Sequence, residues 1–177
     1  MNIKLILPVL LGTVLTSHDN QTNKNVKNDE VKSNKATEVN INSVLFKDVN
    51  LNSAYQQYIL VKNALVESNA SAAQKAASAL QLSLTKIKNA EKMMKSASAL
   101  SETKDLESQR NLFSELSNEL IQLAKNSEFS NGEIYVEFCP MANKSKGAYW
   151  LANEKEINNP YYGNQMLHCG SVKETIK

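Results

Sequence analysis

Leu106, Gln109, Phe113, Leu116, Leu120 and Leu123 follow one another at alternating steps of three and four, with Leu112 widening the stripe. An α-helix brings such positions onto one face, so the spacing predicts a helix over 104–125. Two earlier segments keep the same step. Leu51, Tyr55, Tyr58, Lys62 and Leu65, with Ala54 and Val61 beside them, predict a helix over 49–67. Ala73, Ala76, Leu80, Leu84 and Ile87 predict a second that runs on to Lys92, its alanines allowing a neighbouring helix to come close. "ESNAS" separates these two and offers Ser and Asn as caps. "MMKSASALSETKD" is less periodic and reads as the end of the second helix, a short helix of its own or a bend, with Met93 and Met94 as gap fillers. Ser101 or Thr103 is the expected cap of the last helix, because either hydroxyl can accept from N–H groups that a first turn leaves unpaired.

Helices with apolar stripes and short connections bury those stripes against one another, so the expected fold is mainly α: an antiparallel bundle of three to four helices. A chain of 177 residues has room for one such domain, expected over 48–177. Charge is nearly balanced, with 20 Lys and Arg against 18 Asp and Glu. Arg110 is the only arginine, which leaves little for phosphate or base-edge recognition, and no nucleic-acid partner is expected.

The opening "MNIKLILPVLLGTVLTS" places Lys4 before a mostly apolar run that ends in small and hydroxylated residues. That is a signal-peptide profile, too short to span a membrane comfortably, and predicts cleavage over 1–17 with export to the periplasm or beyond. A bacterial lipoprotein would carry its lipidated Cys where "LTSH" has His18, so a membrane connection is expected only through an N-terminal anchor. Residues 18–47 are polar, with no sustained apolar period before their last few positions, and read as a disordered tether.

From Gly132 the pattern changes. "EIYVEF" alternates, with Ile134, Val136 and Phe138 on one face and Glu133, Tyr135 and Glu137 on the other, which predicts a short strand. Four of the five glycines, both cysteines and the single Trp lie between Gly132 and Gly170, so 133–177 is expected to be a strand followed by a turn-rich cap packed onto the bundle. Cys139 and Met141 share one side of an extended backbone, and Met166 and Cys169 share one side of a helical turn. Folding the loop brings the two pairs together. Thiolate and thioether suit Cu(I) or Ag(I) better than hard cations, with His168 as an adjacent imidazole, and zinc fits if His168 joins the two cysteines. A disulfide between Cys139 and Cys169 is the structural alternative, and closing a loop of about thirty residues would stabilise the fold by roughly 3 to 4 kcal/mol. Pro160 and Gly163 read as a rigid turn in "NNPYYG", and Trp150 as the anchor that pins the loop.

The run "YVEFCPMA", "KGAYWLANEKEINNPYYGNQMLHCGSV", together with "YQQYILVKNALVESN" and "RNLFSELSNEL", resembles a bacterial exported domain family of unassigned function (DUF3347-like). Members of that family occur alone in small lipoproteins and appended to the membrane-fusion subunits of copper and silver efflux pumps. The resemblance implies soft-metal handling in the periplasm, with a heavy-metal efflux membrane-fusion protein as partner. Cys139, Met141, Met166 and Cys169 match its pattern, whereas His168 stands where His is not required. No HExxH, phosphate loop or GxSxG is present, and His168 points away from Cys169 in both helix and strand, so no catalysis is expected. Two functions remain open: a non-catalytic Cu(I)-binding protein for heavy-metal efflux or tolerance, and a disulfide-stapled module that docks a partner protein.

Overall fold

The computed structural model describes residues 44–177. The expected signal peptide and most of the expected tether lie outside the described residues. Residues 44–47, counted with the tether, are instead part of the fold. Val44 and Phe46 are buried, and Leu45–Phe46 form strand β1 against β2 (Phe129–Asn131). The Phe46 ring packs on Tyr55 and Phe129, so two apolar residues too few to show a period still anchor the segment before α1.

Four long helices follow the spacing of the apolar residues: α1 (Val49–Val66), α2 (Ala70–Leu84), α3 (Glu91–Glu102) and α4 (Leu106–Lys125). Each packs on the next, as short connections require. Asp48 caps α1 and Asn69 caps α2 through side-chain oxygens that accept from first-turn N–H groups. The expected second helix does not continue to Lys92. It ends at Leu84, and the chain turns through Asn89 in a left-handed conformation (φ 59°), which Asn tolerates better than most residues, before α3 begins. The cap of α4 is Asp105, whose Oδ2 accepts from Ser108 N at 2.8 Å. Thr103 instead accepts from Asp105 N at 3.2 Å, and Ser101 hydrogen-bonds back to Ser98 O within α3. Met93 is buried in the core, as a gap filler would be. Among the described residues, no helix is long and apolar enough to cross a membrane.

The C-terminal region holds more strand than its turn residues suggest. Strands β3 (Ile134–Cys139), β4 (Ala148–Ala152) and β5 (Ser171–Ile176) form an antiparallel sheet in the order β4-β3-β5. Helix α4 packs on β4, which seats this sheet on the bundle. Tyr58 fastens the junction. Its hydroxyl accepts from Leu151 N at 3.0 Å and bonds Ser117 Oγ at 2.8 Å, while its ring stacks on Phe113 at 5.0 Å. The Tyr161 hydroxyl donates to Tyr149 O at 2.6 Å, so side-chain hydroxyls satisfy backbone groups of β4 that no further strand pairs.

Tyr135 and Glu137, which share the second face of β3, are both buried. Glu137 is fully buried, directly across from Trp150 on β4, and neither of its carboxylate oxygens nor the Trp150 Nε1 finds a hydrogen-bond partner of ordinary geometry. Burial pushes the Glu137 carboxyl up to about 7, against the pull of Lys62 and the indole N–H and with added push from Glu154. Lys62 lies on the apolar stripe of α1, is itself buried, and meets Glu154 Oε1 at 3.1 Å. Tyr55 ends the same stripe in a 2.6 Å bond to Asn153 Oδ1. A layer of polar heads thus lies between α1 and the sheet.

Tyr58→Phe leaves a buried amide and a buried hydroxyl without their partner and is expected to cost about 2 kcal/mol, read as a lower urea midpoint at unchanged slope. Glu137 is protonated more easily folded than unfolded, so its contribution to stability is fully present below its ordinary value of 4.5 and is lost as pH rises through about 7. Unfolding free energies measured near pH 5 and near pH 8 should therefore show a smaller fall toward high pH in Glu137→Gln than in the parent. An equal fall in both would contradict the burial argument.

Candidate metal centre

Cys139 closes β3 and is fully buried, whereas Cys169 stands just before β5 and is half-buried. Although 30 residues separate them in sequence, their sulfurs are 3.0 Å apart, and both are free thiols. A disulfide bond is about 2.05 Å long. Two sulfurs sharing one tetrahedral metal ion, with bonds of about 2.3 Å, stand about 3.8 Å apart. The pair lies between these separations and reaches either with a shift of about 1 Å.

Strand register brings the sulfurs together. Phe138 pairs with Ser171, which draws the residues before β5 alongside the end of β3. Gly170 makes the final approach possible. With φ of +150° its backbone passes so close to the sheet that an added Cβ would stand 3.0 Å from Phe138 O, 3.0 Å from the Trp150 ring and 3.2 Å from Ile157. Asn159, buried and next to Pro160, holds the loop from inside. Its Nδ2 donates to Cys169 O at 2.7 Å, its Oδ1 accepts from Tyr161 N at 2.8 Å, and its backbone bonds Leu167 O and Gly163 N. In the sequence Asn159 stands out only as part of the rigid turn "NNPYYG". A polar residue lodged among "NNPYYG" aromatics was the available signal for its structural role.

The backbone at Met141 departs from the extended conformation that its spacing from Cys139 suggests, whereas Met166 and Cys169 do close one turn. Beyond Pro140 the chain leaves the extended conformation, and Met141 lies in a helical region of the backbone (φ −83°, ψ −17°) with its side chain 45% exposed. Its backbone amide nevertheless hydrogen-bonds the Cys169 thiol. Met166 ends a short 3₁₀ turn (Gly163–Gln165), and its carbonyl accepts from Cys169 N at 3.0 Å. Both methionines therefore neighbour Cys169 through their backbones. His168 is exposed, and its Nδ1 bonds Ile157 O at 2.9 Å. Among the described residues no three His, Cys, Asp or Glu side chains are placed to hold a metal, so His168 does not stand with the two cysteines. Trp150 belongs to β4 and packs edge-on against Tyr161, with centroids 5.8 Å apart. Gly163 takes the left-handed conformation (φ 56°), and Pro160 O accepts from Arg110 Nε at 2.9 Å.

The Cys169 thiol is pushed up, first by its hydrogen bond with Cys139 and then by desolvation and the neighbouring sulfur's charge, with the Met141 amide pulling the other way. A thiol raised in this way reacts more slowly as a free nucleophile. The two sulfurs are soft ligands that a soft cation could bridge.

Residues 54–132 match the family model described as "Protein of unknown function (DUF3347)". The DUF3347 span begins within α1, includes α2 to α4, and ends before β3, so neither cysteine falls inside it. No curated protein and no solved structure matches the chain.

Gly170→Ala and Asn159→Ala should both separate the thiols. Titration of the parent with oxidised glutathione, followed by counting free thiols, is expected to give an internal disulfide, and both variants should instead accumulate the mixed disulfide. Asn159→Ala should also lower the unfolding free energy by about 2 kcal/mol, because the groups it leaves behind are buried.

Proposed function

We propose that Cys139, Cys169, Met141 and Met166 form a capture site for a soft monovalent cation, Cu(I) foremost, in an exported non-catalytic protein that serves heavy-metal efflux or tolerance. The observation that carries the reading is the convergence of both thiols at 3.0 Å, with Cys169 still reachable from outside. Met141 adds to it. A methionine that is 45% exposed contributes little to the core, and a thioether at the rim of a thiol pair is a ligand type that Cu(I) accepts. Capture proceeds by loss of the thiol protons, opening of the pair by about 1 Å, and closure of the thioethers from the rim. The thioethers carry no proton, so acid competes only for Cys139 and Cys169.

The same 3.0 Å separation favours a second reading, in which the two cysteines close into a disulfide that fixes the loop as a docking surface for a partner protein. The two readings part on one titration. Anaerobic addition of Cu(I) to reduced protein, against a chromophoric chelator, is expected to give a single ion per chain with affinity that rises with pH. Met141→Leu combined with Met166→Leu should weaken it by about tenfold or more, and Cys139→Ser should abolish it. Failure of the parent to compete with the chelator, with an intact disulfide in protein isolated without reductant, would overturn the metal reading in favour of the staple.

A further inference from the structure

A cleft of about 290 Å³ opens between the start of α4, the turn after Pro140 and the loop after Pro160. Its walls include Arg110 and Asn111 from α4, Asn143 and Lys144 from the turn, and Tyr162 and Gln165 from the loop. Apart from Glu107, which meets Lys144 at 3.6 Å on the exposed rim, the charged groups here are cations, and the amides of Asn111, Asn143 and Gln165 can donate.

Arg110 is held in place without being used up. Nε donates to Pro160 O at 2.9 Å, and Nη2 donates to Leu65 O at 3.3 Å and Ser68 Oγ at 3.0 Å. These bonds fix the plane of the guanidinium against two separate segments, the end of α1 and the loop after Pro160, and Nη1 has no partner among the described residues. Gly163 makes room for it, since a Cβ there would come within 3.3 Å of Nη2 and 2.6 Å of Val66 O.

The opposite wall is strained. Asn143, Lys144 and Ser145 have φ of 56°, 58° and 65°, three successive non-glycine residues in the left-handed region. Each costs about 1 to 2 kcal/mol there. In this conformation Asn143 and Lys144 line the cleft together with Arg110. Strain of this size retained at the wall of a polar cleft points to a binding role.

We propose that this cleft binds a small carboxylate, its oxygens taken by the Arg110 guanidinium and the Lys144 ammonium and its short body resting against Tyr161 and Tyr162. With Nε and Nη2 already engaged, the Nη1 of Arg110 is held in a fixed direction and offers one carboxylate oxygen a charge-assisted bond, and the volume admits a ligand of only a few carbon atoms. The site is separate from the sulfur cluster, although Tyr162 Oη donates to Met141 O at 2.6 Å, and it stands whether or not the thiols bind metal.

The test is amide chemical-shift mapping of the full chain titrated with sodium succinate, with sodium chloride at matched ionic strength and inorganic phosphate as parallel arms. Saturable shifts with succinate, confined to residues 107–111, 142–145 and 161–165, are expected. Lys144→Glu, an exposed change that leaves the core untouched, should weaken binding by about tenfold or more, and Arg110→Lys, which keeps the charge and removes the fixed Nη1 donor, should do likewise. Shifts that fail to saturate, that spread over the surface, or that persist at the same affinity in Lys144→Glu would overturn the proposal. Saturation by phosphate alone would overturn the carboxylate assignment.

Discussion

Strand β3 is paired along both edges, and that double pairing is the constraint on which the C-terminal half depends. Its partner β4 follows by a short turn, but β5 arrives only after the loop that carries Asn159, Tyr161 and Met166. Phe138 faces Tyr149 on one side and Ser171 on the other, and this register allows Cys139 and Cys169 to meet. A slip of one residue would turn every side chain of β5 to the opposite face and carry Cys169 out of reach. Gly170 and the Asn159 bond to Cys169 O hold the last step of the approach.

Glu137 and Lys62 qualify the idea of an ordinary apolar interface between helices and sheet. Taking a carboxylate and an ammonium out of water is costly unless they are paired, and here Lys62 reaches the half-exposed Glu154 while Glu137 has only the indole N–H of Trp150 and the charge of Lys62 to offset its burial. The arrangement places one titratable group beneath the sheet, two residues from Cys139 on the same face of β3. Replacing Glu137 is therefore informative about stability and a poor choice for probing ligands, because it disturbs the strand that carries one of them.

The helices were legible because their apolar residues recur at three and four over many turns. Lys62 even fell on the buried stripe of α1, as its spacing implied. A short helix at "MMKSASALSETKD" was among the readings, but the place where α2 gives way to α3 was not legible, because the connection contains neither Gly nor Pro and turns on Asn89. Strand β5, "SVKETI", is an edge strand with charged residues at neighbouring positions, so no alternation betrays it. Strand β4 is short and buried nearly throughout, and a run such as "AYWLA" has no period to read. The nearness of the two cysteines was implied by composition and by the loop between them. The conformation of Met141 was not, since Pro140 ends the strand before the two-residue alternation reaches it.

The most direct test of the sulfur-site account is X-ray absorption at the copper edge on protein loaded with Cu(I) under reducing conditions and freed of excess metal. The account predicts a first shell made only of sulfur, with scatterers lost when Met141 and Met166 are both replaced by Leu. A first shell containing nitrogen or oxygen from the protein, or copper that washes away while both thiols remain reduced, would contradict it.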